Sequence, residues 1–279
     1  METATAPYEE QIDELHFPDE FDGLTPTAFE RLQGPQYGKL TFIIPGFGIS
    51  AQSIGLDATL WKPEQNTVLS HRAITQKTRH DFLFWQYERM IEELNPNEFS
   101  IAAMSLGGST AVQFLKYLQQ KNPALFRRCT KLVTLCAPVM QDDLSQTWQL
   151  AAKHCIELDR LRWVKDASRS LLMRAAEAGA KSIIQLASLE IRNDKEATNV
   201  LAFAGNTFAN AEQANLPERT LEVPITSLGF ETDRMVTNAN VARFSTAGQH
   251  RIMPGKHSSR SIVRNKAEIN QAISDALRT

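Results

Sequence analysis

The chain has 279 residues, of which 42% are hydrophobic and 22% charged, and its 30 basic residues nearly balance 32 acidic ones. This is the composition of an ordinary globular protein, and it excludes a collagen-like chain, a low-complexity chain and a disulfide-stapled miniprotein. The net charge of −2 gives no electrostatic reason to expect nucleic acid or an acidic membrane as a partner.

The N-terminal residues differ in charge from the rest of the chain. Residues 1–30 contain nine acidic residues and no Lys or Arg, which leaves 30 bases and 23 acids, a net charge of +7, in residues 31–279. We predict an acidic N-terminal extension over residues 1–36, either a solvated tail or a docking segment for a partner.

No targeting or membrane-spanning segment is expected. The acidic N-terminus is unlike a signal or transit peptide, and the sequence contains no run of 18 apolar residues. The three cysteines, Cys129, Cys136 and Cys155, are an odd number without CxxC spacing and are interpreted as small buried hydrophobes in a reducing compartment. We therefore expect a cytoplasmic protein. The six histidines show no metal-ligand spacing, so neither a metal nor another cofactor is expected.

Short apolar runs alternate with longer helical patterns in the first half of the chain. Such alternation is typical of a parallel sheet whose strands are buried beneath helices. In chain order, the sequence predicts strands at 39–44 and 67–69, a helix at 81–94, a strand at 99–104, a helix at 109–120 and a strand at 130–138.

The strand pattern is interrupted between residue 141 and about residue 215. Four helices are predicted there, at 144–156, 158–178, 180–189 and 197–208. Strand patterns resume at 223–229 and within 244–254, and a closing helix is predicted at 264–277. We therefore expect a helical cap at 140–217, inserted into a core formed by 37–139 and 218–279. The cap would cover the carboxyl ends of the strands, where open α/β sheets bind ligands.

Ser105 lies at a predicted strand-to-helix junction, in the run Ala103-Met-Ser-Leu-Gly107. A nucleophile held on so tight a turn has a strained backbone, so the residues two before and two after it must be small. A serine at the start of a helix also gains the amide donors and the partial positive charge of the helix terminus. These features favour Ser105 as a nucleophile, and an N-cap serine in a βα turn is the alternative.

A serine nucleophile needs a base, and the base needs an acid to orient it. Asp233 follows the strand predicted at 223–229, and His257 lies in a glycine-containing loop before the last helix. The chain thus supplies the two partners in the order Ser, Asp, His. Asp142 and Asp143, which follow the strand at 130–138, are alternative acids. His250 is the alternative base.

With these motifs the chain resembles the α/β-hydrolase family over residues 37–139 and 218–279, with the predicted cap where that family carries one. The resemblance implies an α/β-hydrolase fold with Ser105 as nucleophile, Asp233 as acid and His257 as base. It also implies that the backbone amides of Phe47 and Leu106 form the oxyanion hole. Two positions depart from the common family pattern: Ala103 stands in place of glycine, and Pro45 stands in place of histidine.

The implied activity is that of a serine hydrolase that cleaves a carboxylic ester or thioester of a small to medium acyl group. A non-hydrolytic protein of the same fold, such as an acyltransferase, a lyase or a ligand receptor, is one alternative. A nucleotide-binding oxidoreductase is another, because Gly46-Phe-Gly-Ile-Ser-Ala51 fits the pattern G-x-G-x-x-A.

The expected partner is a small-molecule acyl ester or thioester. Residues 151–181 of the predicted cap contain seven basic and four acidic residues. This excess is either a solvated face or a surface for an anionic acyl carrier.

Overall fold

The structure is a computed structural model of the chain. It describes residues 18–22, 24–33, 38–46, 49–51, 56, 66–71, 74, 78–138, 191, 193–213, 221–237, 245–246, 249–257 and 259–278. Most of the predicted cap, including the helices predicted at 144–156, 158–178 and 180–189, and the alternative acids Asp142 and Asp143 lie outside these residues.

The described residues form seven strands and six α-helices, preceded by a short 3-10 helix at Asp19–Phe21. The strands are β1 (Phe29–Gln33), β2 (Lys39–Ile44), β3 (Asn66–His71), β4 (Glu98–Met104), β5 (Cys129–Leu135), β6 (Ile225–Phe230) and β7 (His250–Met253). The helices are α1 (His80–Leu94), α2 (Leu106–Lys121), α3 (Pro123–Phe126), α4 (Asp194–Gln213), α5 (Ser259–Arg264) and α6 (Lys266–Arg278).

All seven strands form one sheet in the order β1-β3-β2-β4-β5-β6-β7. Strands β2 to β7 pair in parallel, whereas β1 runs antiparallel to β3 at the edge. Because the six parallel strands point the same way, the loops that follow β4, β6 and β7 lie at one edge of the sheet. This edge is where the residues singled out in the sequence meet.

The central strands are buried on both faces, as parallel strands covered by helices should be. Successive side chains of a strand point to opposite faces, so each strand contributes to two hydrophobic clusters. On β2, Phe42 and Ile44 pack with residues of α1, α2 and α4, whereas Ile43 packs in a second cluster with Ile269 and Ile273 of α6. This double burial explains why the strands have nearly continuous apolar sequences.

Two segments that the sequence assigned outside the core pack within it. Strand β1 belongs to the predicted extension 1–36, yet it joins the sheet, and Phe29 is buried in the cluster with Phe42. Helix α4 falls in the predicted cap 140–217, yet Phe203 and Phe208 pack in the same cluster. The hydrophobic core therefore includes residues before 37 and residues within 140–217, in addition to the predicted core segments 37–139 and 218–279.

The closing helix predicted at 264–277 is present as α6, Lys266–Arg278. A shorter helix that was not predicted, α5, precedes it, with Asn265 between the two. Among the described residues, no helix combines the length and apolar character needed to cross a membrane.

Candidate active site

Ser105 occupies the turn between β4 and α2. Its backbone has φ 49° and ψ −130°, a conformation that is rare and strained for a residue with a Cβ. The turn is held by hydrogen bonds on both sides: the Ser105 amide donates to the Leu135 carbonyl at 3.0 Å, and the Gly108 amide donates to the Ser105 carbonyl at 2.9 Å. The strain directs the side chain outward from the end of the sheet, as a nucleophile elbow requires.

The neighbours of this turn must be glycine because the backbones approach too closely for a side chain. A Cβ on Gly107 would lie 2.2 Å from the Ile44 carbonyl oxygen, and one on Gly46 would lie 2.8 Å from Ser105 Cβ. A Cβ on Gly108 would lie 2.3 Å from that of Ala137. The requirement for a small residue two positions after Ser105 is therefore a packing constraint between β2 and α2.

His257 lies in the loop between β7 and α5, with its ring against Ser105. Its Nε2 atom lies 2.9 Å from Ser105 Oγ, and its side chain is 11% exposed. Gly255, two residues earlier, has φ 126°, which a side chain would disfavour. This glycine allows the chain to turn from β7 toward Ser105.

Asp233 follows β6 and completes the hydrogen-bonded chain. Its Oδ2 atom lies 3.1 Å from His257 Nδ1, and its Oδ1 atom accepts the amides of Met235 at 2.8 Å and Val236 at 3.0 Å. The side chain is only 1% exposed. A carboxylate this deeply buried must be hydrogen-bonded, and the two amides fix its orientation toward the imidazole.

The direction of these hydrogen bonds follows from the chemistry of the groups. An ionised carboxylate can only accept, so His257 Nδ1 carries a proton and donates it to Asp233. The lone pair of Nε2 then faces Ser105 Oγ and can accept the hydroxyl proton. The arrangement can therefore remove a proton from Ser105.

The loops that carry Asp233 and His257 are tied to each other. The amide and hydroxyl of Thr232 both donate to the Gly255 carbonyl, at 3.1 and 2.7 Å, and the Glu231 amide donates to the Met253 carbonyl at 2.9 Å. Thr232 was not identified from the sequence. Its only signal there is its place next to Asp233, which does not specify a partner 23 residues later.

The amide of Leu106 can donate toward a ligand at Ser105. Leu106 is the first residue of α2, so its N–H has no carbonyl partner within the helix. The helix N-terminus also carries a partial positive charge, which favours a developing anion. Phe47, the other predicted oxyanion donor, lies outside the described residues.

Of the alternative catalytic residues, the structure describes His250 but not Asp142 or Asp143. His250 is the first residue of β7, where its partner in the sheet is Ser227, and burial lowers its pKa. The imidazole against Ser105 is that of His257, and the carboxylate against that imidazole is that of Asp233.

A small cavity lies beside Leu106 and Gly107, behind the turn. Side chains from α1, α2 and α4 close it, and most of its lining is apolar. The lining residues are Ile44, Pro45, Gly46, His71, Ile74, Tyr87, Leu106, Gly107, Thr110, Val200 and Phe203. Among the described residues, no group of three His, Cys, Asp or Glu side chains could hold a metal ion.

The fold resembles those of many solved structures at low sequence identity. A hydrolase from Pseudomonas aeruginosa is 15% identical with a TM-score of 0.60, over 99% of this chain and 100% of that one. A thermophilic esterase from Thermogutta terrifontis is 15% identical with a TM-score of 0.59, over 90% and 92% of the chains. A protein of the α/β-hydrolase fold from Burkholderia ambifaria is 14% identical with a TM-score of 0.56, over 90% and 92%.

These similarities establish the α/β-hydrolase fold and confirm the predicted fold class. No protein-family model matches the sequence, and no curated protein matches it either.

Proposed function

We propose that this chain of the α/β-hydrolase fold is a serine hydrolase that cleaves carboxylic esters or thioesters through an acyl-enzyme on Ser105. One observation carries the proposal: Ser105 Oγ lies 2.9 Å from His257 Nε2, and His257 Nδ1 lies 3.1 Å from the buried Asp233 carboxylate. A strained serine at a helix N-terminus, bonded to an oriented imidazole, has the parts that acyl transfer needs.

In the first half of the reaction, His257 Nε2 takes the proton of Ser105 as Oγ attacks the acyl carbonyl carbon. The carbonyl π electrons move to oxygen, and the Leu106 amide donates to the resulting oxyanion. Losing one such donor typically costs about 3 kcal/mol of transition-state stabilisation. The intermediate then expels the alcohol or thiol, which receives the proton held by His257, and the acyl group remains on Ser105.

In the second half, His257 takes a proton from water as the water attacks the acyl-enzyme. The new intermediate collapses, Ser105 Oγ recovers a proton from His257, and the carboxylic acid leaves. Asp233 keeps the imidazole in the tautomer that each step requires and stabilises its positive charge.

The proposed acyl group is small to medium in size, as expected from the sequence. The cavity beside Leu106 and Gly107 has room for about one water molecule and is therefore too small to be the acyl site. Similarity to the Thermogutta terrifontis esterase favours ester cleavage. Contact with an anionic acyl carrier would involve basic cap residues such as Arg160 and Arg162, which lie outside the described residues.

The alternatives make different predictions. An acyltransferase would form the same acyl-enzyme but pass the group to an alcohol or amine, and a ligand receptor would bind without turnover. The dinucleotide pattern at Gly46 should open a helix, but residues 49–51 and 56, the described ones between Gly46 and β3, are not helical.

The test is covalent labelling by a fluorophosphonate probe together with turnover of p-nitrophenyl esters and acyl thioesters of increasing chain length. Ser105→Ala should lose labelling, and its turnover should fall by about 10⁴-fold or more because the nucleophile is gone. His257→Gln should retain the hydroxyl yet label slowly, because the base is gone.

Ser100→Ala is the matched control. Ser100 lies on β4, the strand that leads to Ser105, and its hydroxyl is hydrogen-bonded to that of Thr130 rather than to His257. This variant should label and turn over like the unmodified chain. Full labelling and turnover in Ser105→Ala would overturn the proposal.

A further inference from the structure

The loops that carry Asp233 and His257 begin where the sheet ends. Of the described residues, the last pair in register between β6 and β7 is Phe230 with Met253. One residue farther, the Glu231 amide still donates to the Met253 carbonyl at 2.9 Å. Beyond this point the strand pairing no longer sets the separation of the two chains. The distance between Asp233 and His257 therefore depends on contacts that the loops make with each other.

Thr232 makes such a contact with both of its donors. Its amide donates to the Gly255 carbonyl at 3.1 Å, and its hydroxyl donates to the same carbonyl at 2.7 Å. A carbonyl oxygen has two lone pairs, so the two donors use its full capacity to accept. The side chain of Thr232 thus reinforces a link that its backbone already makes between the two loops.

This link and the hydrogen bond between Asp233 and His257 close a small ring. On one side of the ring, Thr232 and Asp233 are neighbours in the chain. On the other side, a single residue separates Gly255 from His257. The hydrogen bond of 3.1 Å between Asp233 Oδ2 and His257 Nδ1 completes the ring. A change in the distance between Thr232 and Gly255 therefore changes how well the carboxylate meets the imidazole.

The loop of His257 is also held from the side opposite to Asp233. The Lys256 amide donates to the Ser261 hydroxyl at 3.1 Å, and the Asn265 side chain donates to the Pro254 carbonyl at 3.3 Å. These two contacts attach the loop to α5 and to the junction between α5 and α6. Without the Thr232 hydroxyl, the loop would keep its attachment to the helices, and its attachment to the Asp233 loop would weaken.

We propose that Thr232 is a positioning residue whose hydroxyl holds the loop of His257 against that of Asp233 and so maintains the hydrogen bond between the two side chains. Thr232 is exposed, so water competes for the Gly255 carbonyl and the expected effects are modest. The effect on the hydrogen bond needs no substrate, whereas the effect on turnover rests on the proposed hydrolase function.

Proton NMR tests the positioning role in the absence of substrate. The Nδ1–H proton of an imidazole bonded to a carboxylate resonates far downfield, and His257→Gln identifies this resonance by removing it. Thr232→Val keeps the branched shape and the amide donor but removes the hydroxyl. The Nδ1–H proton should then exchange with water about threefold to tenfold faster, because the contact with Asp233 opens more often. An exchange rate equal to that of the unmodified chain would overturn the proposal.

Thr130→Val is the matched control for this measurement. Thr130 is also exposed, and its hydroxyl donates to a carbonyl, that of Phe99, at 3.3 Å. It lies near the start of β5, at the opposite end of the sheet from Ser105. This variant should exchange the Nδ1–H proton at the rate of the unmodified chain. Equally fast exchange in Thr130→Val and Thr232→Val would show a general loosening of the sheet and would also count against the proposal.

Kinetics with p-nitrophenyl esters tests the consequence for turnover. In Thr232→Val, kcat should fall about threefold to tenfold with KM unchanged, because the imidazole is less often in place to take the proton of Ser105. Thr232→Ser restores the hydroxyl and should recover most of kcat, whereas Thr130→Val should leave kcat unchanged. Equal losses in the Val and Ser variants, or no loss in either, would contradict the role of the hydroxyl.

The two levels of inference fail separately. If the unmodified chain hydrolyses no ester or thioester, the proposed function fails, and the exchange rate still decides whether Thr232 maintains the contact between Asp233 and His257. If esters are hydrolysed but Thr232→Val changes neither the exchange rate nor kcat, the hydrolase assignment stands and the present inference fails.

Discussion

Gly107 defines how closely β2 and α2 approach beside Ser105. A Cβ at this position would lie 2.2 Å from the Ile44 carbonyl oxygen and 2.6 Å from that of Pro45. Both are backbone atoms, one in the last residue of β2 and the other in the residue that follows it, so neither can rotate away as the end of a flexible side chain could. A methyl group at residue 107 must displace either β2 or the start of α2.

We therefore expect Gly107→Ala to lower the free energy of unfolding by about 3 kcal/mol, at the upper end of overpacking costs. It should also slow acylation at least about tenfold, because the neighbouring Leu106 amide shifts away from the oxyanion. Urea denaturation and the rate of fluorophosphonate labelling measure the two effects.

Gly38→Ala separates crowding from backbone strain. Gly38 has φ 101°, but a Cβ added to it would have no atom within 4 Å, so only the strain remains. This variant should lose about 1 kcal/mol of stability, as a residue with a Cβ does at positive φ, with labelling unchanged. If Gly107→Ala loses no more stability than Gly38→Ala and is labelled as fast, close packing at the turn is not the reason that residue 107 is glycine.

The sequence identified Ser105, Asp233 and His257, and the structure links the three by hydrogen bonds through the imidazole. Their positions were predictable because each follows a strand, and the ends of parallel strands share one edge of a sheet. Their catalytic roles stay predictions. Thr232 was not identified, because its partner, the Gly255 carbonyl, is determined by how two loops meet, and residue type alone carries no such information.

At the level of elements, apolar periodicity predicted the buried strands well. The strand predicted at 39–44 matches β2, and the one predicted at 99–104 is extended by one residue in β4. Strand β1 was missed because Phe29–Gln33 carries Glu, Arg and Gln at three of its five positions. A strand at the edge of a sheet does not need a continuous apolar sequence.

Helix α4 was predicted from the sequence at 197–208, but its packing against the core was not predicted. The observed helix, Asp194–Gln213, is longer, and the Asn193 side chain accepts the Glu196 amide near its start at 3.0 Å. Helical periodicity shows which face is apolar but not which element covers that face. The sequence therefore could not distinguish a helix of a cap from one that packs on α2.

Polar contacts also attach α4 to the core, and one of them involves a buried histidine. His80 of α1 lies with Nε2 2.8 Å from Thr207 Oγ1 and stacks on Phe203 with 4.4 Å between ring centroids. The Thr207 hydroxyl donates to the Phe203 carbonyl, so it accepts from the imidazole. The Thr207 carbonyl accepts from Gln113 of α2 at 2.9 Å.

Burial lowers the pKa of His80 from 6.5 to about 4, although the neighbouring Asp81 partly opposes the shift. Below pH 6.5 the unfolded chain binds a proton at His80, whereas the folded chain does not until about pH 4. The folded state should therefore lose about 3 kcal/mol through this group as the pH falls from 6.5 to 4, and gain nothing further above pH 6.5.

His80→Gln keeps an N–H donor for Thr207 but removes the titration. The variant should have a lower free energy of unfolding than the unmodified chain at pH 7, and this difference should vanish or change sign near pH 4.5. Urea denaturation of both proteins across this range isolates His80, because the other titrating groups are common to both. If the difference in free energy of unfolding does not change with pH, His80 does not destabilise the folded chain on acidification, and the prediction is wrong.

For the whole molecule, the near-neutral total charge conceals an acidic N-terminal region attached to a basic remainder. The described part of this region does not stand apart from the core. Phe21 is 5% exposed, and its ring lies 4.9 Å from that of Phe82 and 5.8 Å from that of Trp85, both on α1. The Arg79 guanidinium lies over the same ring at 5.7 Å.

This contact predicts that Phe21 anchors the start of the chain to α1. Phe21→Ala in the full chain should lower the free energy of unfolding by about 3 kcal/mol, since it removes a buried aromatic ring. Deletion of residues 1–22 should cause a similar loss, whereas deletion of residues 1–17, which removes five of the nine acidic residues but keeps Phe21, should cause little. Equal losses in the two deletions, measured by urea denaturation, would mean that residues before Phe21 hold the segment in place. In that case the attraction between the acidic residues and the basic remainder, rather than the apolar contact with α1, would be the main attachment, and the loss would shrink as salt is added.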